Sequence, residues 1–369
     1  MYAYIHIPFC DQKCSYCRFA SVWRLQELQI ETYVQSLILE IEQSNLTTEN
    51  TLLKTLYFWG WTPWVLSSGQ LERIIKSIEK KYWFDDSIEI NLETTPFNVT
   101  PENIQAWEKL WINRVSMWVQ TLNNDALKEI QRGNKWNIFT ALDNLKDTKI
   151  NNISIDFILW LPYVQKWEIL EDIKFILEKY NFITHISVYM LEEYYEPDMI
   201  IESKYDNITY PDNWKNMWLK DEDFSLEYSN IKIYLQKQWF GRYEISNYAK
   251  PWFECQHNIS YWNHKEVVSF WLWAYWYINK TRYRNSDNFS DYYARKNIIS
   301  EKNNSNDLFL EKVMFSLRTL WINRELEKKL DQEKIKYFLD EKYLIRKNNL
   351  LQLSDNWVTV MDYILSEII

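Results

Sequence analysis

The sequence predicts an α/β protein: βα units in series that build a parallel sheet, followed by a smaller α+β module. Three observations carry that expectation. Strand-like runs alternate with helical spacing through the first 191 residues. The pattern turns helical again from Asp307, and 369 residues are enough for one large domain and a smaller one.

Each element has its own warrant. YAYIHI (2–7) alternates as a strand does, without the basic start and apolar stretch of a signal peptide. Ile30, Tyr33, Val34, Leu37, Ile38 and Ile41 then share one helical face. TLYF (55–58) is the second strand, and Leu71, Ile74, Ile75 and Ile78 mark the next helix, with Ser67 or Ser68 as its N-cap. After SIEINLE (87–93), Thr100 and Pro101 read as N-cap and first residue of a helix. RVSMWV (114–119), ISIDFIL (153–159) and HISVYML (185–191) complete six strands, with helices over 126–130, 138–145 and 169–177 between them.

Six such units curl into an open (β/α)6 barrel or lie flat as a doubly wound sheet, and either way the ligand site falls at the carboxyl ends of the strands. Thr62, Glu93, Gln120 and Asp156 are the polar residues there. The core domain is expected over 1–225, a connecting segment over 226–300 and a C-terminal module over 301–369. That last part, with two short strands around Asn348 and Asn349, resembles a winged helix but lacks the basic face that DNA binding needs.

Composition removes several classes. Apolar residues at 47% and charged residues at 25% are globular proportions. A net charge of −9 gives no general attraction to nucleic acid or anionic lipid. No run of about 18 apolar residues exists, so no transmembrane segment is expected, and a cytoplasmic protein is. Four cysteines are too few for a disulfide framework.

Three of them, Cys10, Cys14 and Cys17 in HIPFCDQKCSYCRF, follow the first strand at C-x3-C-x2-C spacing. Thiolates are soft ligands for zinc or an iron–sulfur cluster. A zinc knot would need a fourth ligand, for which His6 and Cys255 are the candidates. Three thiolates on a four-iron cluster instead leave one iron open.

In this βα context the spacing resembles the radical S-adenosylmethionine superfamily. YIHIPFC, with Tyr16 two residues after the second cysteine, narrows the resemblance to the family of oxygen-independent coproporphyrinogen III oxidase. LETTP (92–96), INRVSMWVQTLN (112–123), IDFILWLP (155–162), YEISNYAKP (243–251) and HNISYW (257–262) extend it along nearly the whole chain. The resemblance selects the open partial TIM barrel. It implies that Cys10, Cys14 and Cys17 hold a [4Fe–4S] cluster, fed by an electron donor, whose open iron chelates S-adenosylmethionine. It places Tyr4 beside that cofactor, the loop Gly60, Trp61 and Thr62 at its methionine amino group, Glu93 and Arg132 at its amino-acid end, and Gln120 and Asp156 at its ribose hydroxyls. A fork-shaped guanidinium suits a carboxylate, and carboxylates and amides accept from sugar hydroxyls.

Within this family two readings compete: an oxidase that decarboxylates propionates of coproporphyrinogen III, and a heme chaperone that passes heme to an acceptor protein. Phe19 stands where the oxidase has a further cysteine, the first strand begins at residue 2, and HNISYW matches the chaperone branch. These favour the chaperone, with His257 as an axial heme ligand and Tyr261 and Trp262 as flat faces for the porphyrin. His6, His185 and His264 read as structural and Cys255 as a buried thiol. Tyr275 stands where many members have histidine.

One feature fits no ordinary globular protein. Glycine at about 7% would give roughly 26 residues, yet the chain has 4, together with 21 tryptophans. In YFWGWTPW (57–64), Trp59, Trp61 and Trp64 crowd a turn that calls for small residues. Relatives have glycine in the corresponding places of FWGWTP, LWI (110–112), WVQ (118–120), WLP (160–162), PWF (251–253) and FWLWAYW (270–276), whereas Trp262 is tryptophan in them too. Some bacterial lineages read the codon UGA as glycine and others as tryptophan. The pattern predicts that most of these tryptophans are glycines in the living protein.

Overall fold

The computed structural model describes residues 1–10, 14–17, 22–23, 27–44, 51–60, 65–191, 221–272, 274–286, 288–296, 298–319, 321–354 and 360–369. Strand β1 (Tyr2–Ile7) leads to two-residue strands β2 (Phe9–Cys10) and β3 (Val22–Trp23), which pair with each other. Then follow α1 (Glu27–Gln43), β4 (Leu52–Gly60), α2 (Ser68–Lys81), β5 (Trp83–Thr94), α3 (Pro101–Lys109) and β6 (Arg114–Gln120). Next come α4 (Asn124–Glu129), α5 (Lys135–Leu145), β7 (Asn152–Leu159), α6 (Glu168–Lys179) and β8 (His185–Met190). The chain continues through α7 (Asp221–Lys237), β9 (Gly241–Arg242), β10 (Asn247–Ala249), α8 (Gln256–Trp262), β11 (Val267–Phe270), β12 (Tyr275–Ile278), β13 (Thr281–Arg284), α9 (Phe289–Tyr293) and β14 (Ile299–Lys302).

One open sheet of twelve strands runs in the order β14-β13-β12-β11-β1-β4-β5-β6-β7-β8-β10-β9. From β11 to β8 every neighbouring pair is parallel. Six of those seven strands are the ones the alternation predicts. The seventh, β11, has only four residues, VVSF, and lies within 226–300. That segment is therefore no bare connection: its strands continue the sheet at both edges.

The parallel strands alternate strictly, and the alternation creates the site. Ile5, Leu56, Phe58, Ile90, Leu92, Val115, Met117, Ile155 and Ile186 are fully buried in the main apolar core. α1 contributes Val34, Leu37 and Ile41 to that core, and α2 contributes Ile74, Ile75 and Ile78. Each such side chain is worth about 1.5–3 kcal/mol relative to an exposed one. The intervening positions, Tyr4, Thr55, Tyr57, Glu89, Asn91, Glu93, Arg114, Ser116, Ser154, Asp156, His185 and Ser187, are buried and mostly polar. A sheet with one oily and one polar buried face is what a ligand-holding open barrel requires.

Local signals behave as the sequence indicates. Ser67 caps α2 in a reciprocal arrangement with Gln70, and Thr100 caps α3 with Pro101 in its first turn. Beyond the sheet, α10 (Ser305–Arg318), β15 (Trp321–Ile322), α11 (Arg324–Glu327), α12 (Gln332–Asp340), β16 (Leu344–Lys347), β17 (Leu350–Leu353) and α13 (Met361–Ile368) form the C-terminal part. Its hairpin turns at Asn348 and Asn349, both left-handed at φ 51° and 62°, as the tight two-residue turn requires. Among the described residues, no helix is long and apolar enough to cross a membrane.

Candidate functional site

At the carboxyl ends of the parallel strands, the segment after β1 turns back on itself through a hydrogen bond from the Cys17 amide to the Cys14 carbonyl, 3.0 Å. Cys14 and Cys17 are buried thiols packed with Tyr16. The Cys10 side chain, Phe19, Trp61 and Thr62 lie outside the described residues. Gly60 explains how this loop can start so close to the sheet. Its φ is 120°, and a Cβ there would stand 2.3 Å from the Ile7 carbonyl oxygen. Only glycine fits.

The polar residues expected around the cofactor do come together. Glu93 accepts from the Tyr57 hydroxyl at 2.7 Å and from the Trp118 indole N–H at 3.1 Å. Burial, with the nearby charge of Asp156 adding to it, pushes the Glu93 carboxyl well above the usual range. Burial likewise lifts Asp156 to about 6, against the opposing pull of Ser187, Arg114, Ser116 and Ser154. Gln120 closes the group at φ 63°, its amide 3.0 Å from the Tyr16 hydroxyl. With its oxygen toward Tyr16, its nitrogen donates to the Trp118 and Val119 carbonyls at 3.2 Å each. Arg132 lies near Tyr16, with its guanidinium 5.0 Å from the Trp118 ring centre. Tyr4 is one step deeper, its hydroxyl 2.6 Å from His6 Nδ1.

This donor set suits the groups that the sequence implies. Buried thiols on a tight turn are soft metal ligands, while Glu93, Gln120 and Asp156 can accept from hydroxyl and ammonium donors and Arg132 can meet a carboxylate. Trp118 is the misfit. Its indole joins Glu93 to Arg132 and so engages the two residues expected at one end of the cofactor. Trp59 adds a second ring, 5.9 Å from Tyr4 and 5.8 Å from His6.

The amino ends of the strands hold a second cluster, which sequence reasoning missed. The start of α8 docks there on Glu89, which accepts from the Gln256 and His257 amides at 3.1 Å each. The thiol of Cys255 lies 3.7 Å from the same carboxylate. Arg114, 2% exposed, donates to Asn91 at 2.6 Å. His185 spans Ser154 at 2.7 Å and Tyr243 at 2.8 Å. The signal was present: a period-2 series of polar residues within otherwise apolar strands.

This docking changes the picture of HNISYW. His257 is 1% exposed; its Nδ1 meets the Thr55 hydroxyl at 2.7 Å and its Nε2 the Tyr261 hydroxyl at 3.1 Å. Its ring stacks on Tyr57 with centroids 4.7 Å apart. Burial, assisted by Arg114, lowers its pKa to about 3, so the imidazole is neutral. As placed, it has no nitrogen facing solvent to offer an iron. Trp262 points elsewhere, packed edge-on to Phe315 at 5.8 Å with Arg318 5.2 Å from its ring centre. The three residues expected to meet heme thus do not share one open face.

The sequence model of the radical SAM superfamily matches residues 4–176. A heme chaperone HemW of Buchnera aphidicola subsp. Schizaphis graminum is 29% identical over 93% of this chain and 92% of its own length. The heme chaperone HemW of Lactococcus lactis subsp. lactis is 32% identical over 77% of this chain and 71% of its own. In three dimensions the chain resembles the coproporphyrinogen III oxidase HemN of Escherichia coli, a radical SAM enzyme. The TM-score is 0.82 and the identity 16%, over 99% of this chain and 88% of that one.

Proposed function

Because the chain belongs to the radical S-adenosylmethionine superfamily and, within it, to the family of the HemW heme chaperones, we propose that it binds heme and passes it to an acceptor protein. The observation that carries this reading is the end-to-end similarity to a curated heme chaperone. The structural likeness to HemN speaks for the fold alone.

Family membership brings a [4Fe–4S] cluster and S-adenosylmethionine. Cys10, Cys14 and Cys17 would hold the first; Tyr4, the loop 60–62, Glu93, Gln120, Arg132 and Asp156 would hold the second. When bound, the pair supplies reductive cleavage of a sulfonium bond. This chain's own residues do the positioning. Tyr57 fixes Glu93, Tyr16 fixes Gln120, and Ser116 and Ser154 orient Asp156 at 3.3 Å each.

For heme, His257, Tyr261 and Trp262 are the proposed contacts, and His257 reaches iron only if α8 leaves its seat against Thr55 and Glu89. Heme binding should therefore loosen α8. The test is a spectroscopic heme titration of the cluster-reconstituted protein and of His257→Ala, with hydrogen exchange over 255–262 followed in parallel. Expected are heme binding that His257→Ala weakens, faster exchange in α8 on binding, and no turnover of coproporphyrinogen III under anaerobic reducing conditions. Accumulation of protoporphyrinogen would make the protein an oxidase. Unchanged heme affinity in His257→Ala would move the ligand elsewhere.

A further inference from the structure

Among the described residues, six tryptophans sit on left-handed backbone: Trp111 at φ 62°, Trp160 at 71°, Trp167 at 71°, Trp239 at 67°, Trp252 at 74° and Trp271 at 138°. An L side chain resists this region because its Cβ crowds the adjoining carbonyl, whereas glycine enters it freely. Three of the six occupy turns whose hydrogen bonds identify them. α3 ends with the Trp111 amide bonded to the Glu108 carbonyl at 3.2 Å and the Ile112 amide to Trp107 at 3.1 Å. α7 ends the same way, Trp239 to Gln236 at 3.2 Å and Phe240 to Leu235 at 2.9 Å. This crossed pair is the helix-ending motif whose left-handed residue is usually glycine. At 250–253, the Phe253 amide bonds to the Lys250 carbonyl at 3.1 Å, with Pro251 second and Trp252 third. That is a type II turn, whose third residue needs positive φ and is normally glycine.

Left-handed backbone alone does not decide the matter, since Gln131, His264 and Arg295 also carry it at helix ends. Trp271 does. Among the described residues with positive φ, only Gly60 at 120° and Trp271 at 138° exceed the 79° of Gly133. That range is closed to residues with a Cβ except under strain. Trp271 is nevertheless completely buried, with its indole stacked on His6 at 3.9 Å and 11°.

We infer that positions 111, 160, 167, 239, 252 and 271 are glycine in the protein as its own cell makes it. Backbone geometry, independent of any relative, thus identifies the same kind of exchange as the deficit of glycine and excess of tryptophan. Two of the six bear on the candidate site. Residue 160 directly follows β7, and residue 271 directly follows β11, both at the carboxyl ends of parallel strands. Glycine at 271 takes an aromatic ring off the face of His6, beside the start of the cysteine loop. The inference stands whether or not the protein handles heme.

Two measurements test it. Peptides of the protein purified from its source organism should carry the mass of glycine at 111, 239, 252 and 271. Tryptophan masses there overturn the inference. In recombinant protein with the written sequence, Trp111→Gly, Trp239→Gly and Trp252→Gly should each raise the thermal midpoint. These indoles are 76%, 80% and 92% exposed, so little packing is lost. Trp136→Gly, 65% exposed and in the first turn of helix α5, should lower it. Midpoints that fall at all four positions would show that the backbone does not favour glycine, and the structural argument would fail.

Discussion

Asp156 is a single carboxyl whose surroundings set a measurable pH response. Folded, it holds its proton up to about pH 6, while in the unfolded chain it ionises near 3.8. Between those values the folded state binds more protons, so stability falls as pH rises through the window, and the loss is complete above it. Two units correspond to about 3 kcal/mol at most. Asp156→Asn removes this ionisation. Its stability relative to the parent should therefore improve from pH 4 to pH 7, as read from urea unfolding at each pH. Parallel curves would mean that Asp156 ionises over the same pH range folded and unfolded. At this scale the sequence was informative where residues act through their place on a strand: Glu93, Gln120 and Asp156 are legible as polar residues at strand ends. It was silent where a partner comes from afar. Tyr16 meets Gln120 across 104 residues, and nothing local in either stretch announces the other.

α8 is the element whose role most exceeds its motif. Its two first amides end on the carboxylate of Glu89, which suits the positive end of a helix, and Arg114 lies in the same cluster. Glu89→Gln keeps the shape and removes the charge. A charge-assisted bond is worth about 1.5–3 kcal/mol, so amide exchange over 255–262 should quicken roughly tenfold or more. Exchange in β4 and β5 should change little. Equal acceleration across the sheet would show that Glu89 supports the whole fold and not α8 alone. The six predicted strands were legible because alternation with long helices is a repeated signal. β11 was not, since four apolar residues without a following helix look like any short buried run. HNISYW drew attention as a motif. That its helix lies against the inner face of the sheet is a tertiary fact, and no periodicity encodes it.

Taken whole, the barrel has two ends with different chemistry, and this separates its cysteines. Cys14 and Cys17 lie beyond the carboxyl ends of the strands, while Cys255 is buried at the amino ends beside Glu89. A cluster reconstituted from iron and sulfide should be lost in Cys14→Ala and retained in Cys255→Ala, by iron content and visible absorption. Loss in both would make Cys255 a further ligand, and stoichiometric zinc without iron or sulfide in the parent would revive the zinc knot. The cofactor's other end depends on Trp118. Its N–H holds Glu93 at 3.1 Å and its ring lies under Arg132, so the indole competes with a ligand for both. Giving up one hydrogen bond costs about 0.5–1.5 kcal/mol, and 1.4 kcal/mol is tenfold in affinity. Trp118→Gly should thus tighten S-adenosylmethionine binding by up to about tenfold after cluster reconstitution. It should do so despite a strand glycine costing roughly 0.5–1 kcal/mol of stability. Trp136→Gly, far out on an exposed helix, should leave that affinity alone. If calorimetry finds equal or weaker binding in Trp118→Gly, the indole does not obstruct the site, and Glu93 and Arg132 take up the cofactor with Trp118 in place.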